Sequence, residues 1–158
     1  MSDDRVRHFH TKVAGISYRN SDGTSRQAIA RRCAVWEKLN LFHGDENPHD
    51  SNAIQVLREN GQQLGFLPAY LAAEVAAGNA EGMRYAVFIS DITGGREGSE
   101  TTGINLLIVV AEPGVPEHEV IEYFNQHIEG ATAHEPGKGG CGTGVAVMLA
   151  MFVAQALL

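Results

Sequence analysis

Apolar and polar positions alternate along several short stretches of this chain, and the alternation predicts strands. Phe9 to Arg19 reads as a strand, with Val13 and Ile16 apolar and Gly15 at a bulge or a close backbone approach. Asn20-Ser21-Asp22-Gly23 is a turn cluster, and Ser25 can cap a short helix over Arg26 to Arg32. Val35 to Phe42 reads as a second strand, approaching strict alternation from Lys38 onward. After the polar loop Asn47-Pro48-His49-Asp50-Ser51-Asn52, Ala53 to Leu57 opens a third strand. Asn60-Gly61 supplies a type I′ hairpin signal, and Gln62 to Pro68 returns. Pro68 then begins a helix over Ala69 to Ala77, with Gly78 placed to end it. Met83 to Ile92 alternates through Tyr85, Val87 and Ile89, and Ile104 to Val110 is rich in β-branched residues. Across the Gly94 to Ser99 turn these two should pair. Five or six strands and two short helices are compatible with a small, partly open β-barrel.

Beyond the break at Pro113 to Pro116 the period changes. Glu117 and Glu119 place acidic residues at the positive end of a helix. Val120, Ile121, Phe124 and Ile128 give it an apolar stripe, and Gly130 stops it. The expected organisation is a mainly β domain over 5–112, an amphipathic helix over 113–130, a linker over 131–144 and a hydrophobic helix over 145–158.

One motif pair carries a family resemblance. Asn47-Pro48-His49-Asp50-Ser51-Asn52-Ala53-Ile54, followed after the hairpin by Leu64-Gly65-Phe66-Leu67-Pro68, resembles the signature of HIRAN domains. Upstream, Val13-Ala14-Gly15-Ile16-Ser17-Tyr18 is similar to that family's opening strand. The resemblance spans roughly residues 9 to 112. It implies a modified OB-like barrel and a nucleic-acid-binding module that recognises single-stranded DNA or its 3′ end in DNA repair or replication. Tyr18, Asn47, His49, Asp50 and Phe66 match the positions that contact that ligand in the family. Aromatic faces stack on bases with little regard to sequence, at about 1–3 kcal/mol per base. A carboxylate such as Asp50 can accept a hydrogen bond from a free hydroxyl but repels a phosphate, which selects strand ends. The same carboxylate could instead serve only to hold its own loop, and Phe66 could belong to the core. The sequence also departs from the family pattern. His49 stands where Tyr is common and Phe66 where some members have His, and Ser17, Pro68 and Ala69 stand where basic residues can occur. Fewer phosphate-contacting cations should weaken binding.

Charge sharpens this picture. The net charge of −7 argues against a strongly electrostatic, nonspecific DNA binder. The distribution is uneven, however. Residues 1–40 hold eight Lys/Arg against four Asp/Glu, and residues 41–158 hold four against fifteen. A basic N-terminal quarter can present one locally positive face.

The chemistry of catalysis is not visible. Gly137-Lys138-Gly139-Gly140 fails the phosphate-loop template, because Thr132 replaces the required glycine and Gly139 the required Ser/Thr. His43, Asp45, His49 and Asp50 lack the spacing of a metal site, and no cofactor is implied. The expectation is a chain without enzymatic activity, although family relatives are fused to ATP-hydrolysing motors. A motor or nuclease would then be a partner protein. Two cysteines and a polar N-terminus suggest a reducing, cytoplasmic setting. The apolar run from Val145 to Leu158, preceded by Lys138, suits either a membrane tail anchor or a buried helix. The competing expectation for function is therefore a protein-interaction or membrane-tethered adaptor that keeps the barrel without binding DNA. Convergence of Tyr18, His49, Asp50 and Phe66 on one groove beside basic residues would separate the two.

Overall fold

The computed structural model describes residues 4–44, 50–95 and 100–128. Among them, six strands form one antiparallel sheet: β1 (Val6–Lys12), β2 (Lys38–His43), β3 (Ile54–Arg58), β4 (Gln63–Phe66), β5 (Arg84–Thr93) and β6 (Gly103–Ala111). Their order in space is β1-β6-β5-β2-β3-β4. The helices are α1 (Arg26–Ala30), α2 (Ala69–Ala80) and α3 (Glu117–His127). The mainly β reading with short helices holds, and β5 and β6 pair as expected.

The two edges of the sheet meet. Beyond β1, Val13 N–H donates to Ile104 O at 3.0 Å, and Ala14 then exchanges two hydrogen bonds with Phe66 at 2.8 and 3.0 Å. This single bridge joins the chain after β1 to β4 and closes the sheet into a partly open barrel. Gly65 permits it: a Cβ there would lie 2.4 Å from Ala14 O and 2.6 Å from Val13 Cγ1.

Alternation sorts the core into two layers. Leu39, Ile54, Val56, Leu64, Val87, Ile89, Leu106 and Ile108 fill the interior, closed over by Ile29 of α1 and Leu71, Ala72 and Val75 of α2. The opposite face of β5 and β6 presents Ala86, Phe88, Leu107, Val109 and Ala111 to Val120, Phe124 and Ile128 of the α3 segment. From Leu106 to Ala111 β6 is buried on both faces, which is why that part of its sequence is a continuous apolar run. Arg5, just before β1, pairs with Glu119 at 2.8 Å, and Arg84 of β5 donates to Val115 O, so the start of α3 is tied down beside the sheet.

Several boundaries differ from the sequence expectation. The first strand is Val6–Lys12 rather than Phe9 to Arg19, because Gly15 adopts φ +71° and starts a turn. The helix capped by Ser25 ends at Ala30, not Arg32. β2 begins at Lys38 because Trp36 takes φ +69°, and its N–H turns onto Ile89 O at 2.7 Å. The hairpin is present, but its turn is not type I′, which requires positive φ at both central residues. Asn60 has negative φ, Gly61 has φ +88°, Gly61 N–H bonds Arg58 O, and Arg58 N–H bonds Gln62 O. That is the three-residue loop in which Gly supplies the left-handed position. Helix α2 runs through Gly78 to Ala80, and Gly82 at φ +88° takes the terminating role. Residues 96–99 of the β5–β6 turn, Gly130, the 131–144 linker and the 145–158 hydrophobic segment lie outside the described residues. No helix among the described residues is long and apolar enough to cross a membrane.

Candidate nucleic-acid interface

The segment carrying Tyr18 is held from below by α1. Ser25 Oγ caps the helix by accepting from Ala28 N–H at 3.2 Å. The next two side chains reach back. Arg26 Nη1 donates to Gly15 O at 2.8 Å, and its Nε donates to Asn20 Oδ1 at 2.6 Å. Gln27 Nε2 donates to Ile16 O at 3.1 Å and Thr102 O at 3.0 Å, while Gln27 Oε1 accepts from Thr102 N–H at 2.8 Å. Tyr18 N–H closes the turn on Gly15 O at 3.1 Å. The backbone is thereby pinned while the Tyr18 ring stands 70% exposed.

Phe66 meets this turn through the Ala14 bridge. Its ring is half-buried and points to the outer surface, opposite the core-facing Gly65 and Leu67. The Arg26 guanidinium lies over that ring, 5.2 Å from its centroid. A Cβ on Gly15 would sit 3.1 Å from Arg26 Nη1 and 3.6 Å from Tyr18 Cδ2, so Tyr18, Arg26 and Phe66 share one small area.

Arg26 sets the electrostatics. It is 8% exposed, and its hydrogen-bond acceptors are a side-chain amide and a backbone carbonyl, both neutral. Among the described residues no carboxylate pairs with it. Burial pulls the guanidinium below its ordinary pKa, yet a guanidinium stays protonated in a protein. A buried positive charge without an anionic partner favours an anion arriving from outside. Arg31 and Arg32, just beyond α1, are exposed and add to the positive side.

Asp50 lies in the turn that leads into β3. Its Oδ1 accepts from Asn52 N–H at 2.9 Å, and its carbonyl accepts from Ala53 N–H at 3.2 Å. The carboxylate therefore does hold its own loop. His43 Nε2 bonds Ser51 O at 2.7 Å and fastens that loop to β2. Ile54 O accepts from Leu67 N–H at 2.9 Å, which joins the turn to the end of β4 beside Phe66. Asn47 and His49 lie outside the described residues. The structure thus brings Tyr18 and Phe66 together and attaches the Asp50 turn to the same strand end. Arg26, Asn20 and Gln27 were not singled out by the sequence, in which Arg26 is one basic residue among eight in the first forty. The cue was Ser25, whose capping role fixes the register of the two side chains after it. Among the described residues no three His, Cys, Asp or Glu side chains gather as metal ligands.

Comparison with known proteins bears on this surface. A family model described as HIRAN domain matches residues 6–105. The chain is similar in fold to a protein from Lactobacillus plantarum, with 18% identity and a TM-score of 0.52 over 68% of this chain and 98% of that one. It is similar to the HIRAN domain of human HLTF, with 19% identity and a TM-score of 0.51 over 79% of this chain and 94% of the other. An NMR structure of the HLTF HIRAN domain in its DNA-bound conformation aligns at 18% identity and a TM-score of 0.44, over 76% and 87% of the two chains. No curated protein matches.

Proposed function

We propose that this chain, which belongs to the HIRAN domain family, is a nucleic-acid-binding module that takes single-stranded DNA at its 3′ end. The observation that carries this reading is the Tyr18–Arg26–Phe66 grouping: two outward aromatic rings around a buried, uncompensated cation. Rings supply stacking on any base, and the cation supplies attraction for a phosphate. Another member of the family, the HIRAN domain of HLTF, has been solved in a DNA-bound conformation, which supports the same ligand class here. The Asp50 turn contributes the end preference, since its carboxylate accepts from a 3′-hydroxyl and repels a 3′-phosphate. The module works without catalysis of its own, and a motor or nuclease partner acts on the strand it holds.

The test compares fluorescent oligonucleotides ending in a 3′-hydroxyl or a 3′-phosphate, at two salt concentrations, with full-length wild-type protein, Tyr18→Ala and Asp50→Ala. Wild type should prefer the hydroxyl end. Asp50→Ala should lose the preference, and Tyr18→Ala should weaken both ligands by about 1–3 kcal/mol. Because Tyr18 is 70% exposed, its removal should leave the unfolding midpoint in place. No binding of either oligonucleotide at low salt would end this reading.

A further inference from the structure

Three large apolar side chains stand exposed among the described residues: Tyr18, Phe42 and Tyr70. The register of the sheet gives Phe42 a particular address. Phe42 on β2 is paired with Gln55 on β3, and Gln55 is paired with Phe66 on β4. Directly opposed residues in neighbouring strands project from the same face. The next row, Leu41, Val56 and Gly65, faces the core, so Phe42, Gln55 and Phe66 form one outward row across three strands. At a strand spacing of about 4.8 Å, the two phenylalanines are roughly 10 Å apart with an amide between them. The Phe42 ring also leans along its strand: a Cβ on Gly44 would lie 2.9 Å from Phe42 Cε1. It is thus directed toward Gly44 at the end of β2.

We propose that Phe42 is a second base-stacking platform and Gln55 a base-edge contact, so that the outer face of β2–β3–β4 carries a single strand beyond the Tyr18–Phe66 site. This rests on the nucleic-acid reading above and extends it from an end pocket to a track. The occupant is an unpaired nucleobase. An aromatic ring accepts any base face, and a primary amide offers both donors and an acceptor to a base edge. Charge agrees with that occupant, because α1, carrying Arg26 and followed by the exposed Arg31 and Arg32, packs against β4 at one end of the row. An apolar peptide would gain nothing from those cations.

The experiment measures affinity of the full-length protein for oligothymidylates of increasing length, from about two nucleotides, below the usual site size of such barrels, to about ten, within it. Four variants are compared with wild type: Tyr18→Ala, Phe42→Leu, Phe42→Trp and Gln55→Ala. Phe42→Leu keeps an apolar, strand-compatible residue but removes the ring. We expect affinity to rise with length in wild type and Phe42→Trp. In Phe42→Leu the shortest ligand should bind as in wild type, while the longer ones lose roughly 5- to 100-fold. Gln55→Ala should lose less than Phe42→Leu on the longer ligands. Tyr18→Ala should weaken every length. Wild-type behaviour of Phe42→Leu at every length, with Tyr18→Ala still impaired, overturns the track and leaves the end site standing. Failure of wild type to bind any length overturns both.

Discussion

The Arg26 guanidinium lies 5.2 Å from the centroid of the Phe66 ring while donating to Asn20 Oδ1 at 2.6 Å and Gly15 O at 2.8 Å. One side chain therefore orients an outward ring, holds the Tyr18 turn and supplies the charge beneath both. Arg26→Met removes two charge-assisted hydrogen bonds and strands Asn20 Oδ1, while Gly15 O keeps Tyr18 N–H, at a cost of about 2–4 kcal/mol in urea unfolding. Arg26→Lys keeps the charge but cannot reproduce the fork, so it should fall between wild type and Met in stability and retain part of the oligonucleotide affinity. Equal stability of all three proteins would remove Arg26 from this role.

Gly78 inverts an ordinary rule. In a helix interior, Gly→Ala normally gains about 1 kcal/mol. Here a new Cβ would sit 2.0 Å from the buried Tyr85 hydroxyl and 3.2 Å from Tyr85 Cζ. Gly78→Ala should therefore destabilise the fold by about 1–3 kcal/mol. With Tyr85→Phe already in place the clash with oxygen is gone and the 3.2 Å approach to Cζ remains, so the same change should cost less than in wild type. A double-mutant cycle by denaturant unfolding reads the coupling directly, and additive effects would refute it.

His8 makes stability depend on pH. Its Nδ1 lies 2.8 Å from Tyr123 OH, and Tyr123 in turn packs against His127 with ring centroids 4.5 Å apart. Burial pulls the imidazole below its ordinary pKa, and repulsion from His10 and His127 adds to the shift. The unfolded chain, with a histidine pKa of about 6.5, then binds the proton before the folded one does as pH falls. The contribution is full above about pH 6.5 and is lost progressively as pH drops toward the lowered folded value. Unfolding free energy should fall more steeply from about pH 7 to pH 5 in wild type than in His8→Gln. A proton NMR titration should place the His8 midpoint below the ordinary value; a midpoint at or above it contradicts the assignment.

Cys33 is expected to be chemically quiet. Burial, followed by the neighbouring Glu37, pushes its thiol up to about 12, and its Sγ is 3.5 Å from Ile29 O. In a Cys141→Ser background at about pH 8, Cys33 should react with a disulfide reagent roughly 100- to 1000-fold more slowly in the folded protein than in urea. Equal rates in both states would place the thiol in solvent.

What could be read in advance follows physical scale. The alternation of β5, the β-branched run of β6 and the position of the hairpin at Asn60-Gly61 were legible because their signals are local. The motif around Asn47–Ile54 and Leu64–Pro68 pointed to the family whose model matches residues 6–105. Trp36 was not legible. Nothing in its neighbours announces φ +69°, which exists because its N–H reaches Ile89 O on another strand. Gly78 looked like a helix stop because the constraint on it comes from Tyr85, seven residues on in sequence and placed there by the fold. Arg26 stood out from the other seven basic residues of the first forty by nothing local, for the same reason. Its burial depends on Gly15, Asn20 and Phe66, which no periodicity connects.

The Ala14–Phe66 bridge has the last consequence. A partly open barrel whose edges meet, among the described residues, at one backbone pair has a weakest line, and that line runs beneath the aromatic site. Opening there breaks two hydrogen bonds and frees Phe66 from its neighbour without unzipping β5 and β6. The amides of Ala14 and Phe66 should therefore exchange with solvent ahead of those in β6. A ligand resting on both Tyr18 and Phe66 touches both banks of that line and acts as a clasp. Its binding free energy then appears as slower exchange at the join, so occupancy can be followed without a label on the ligand or a readout of function.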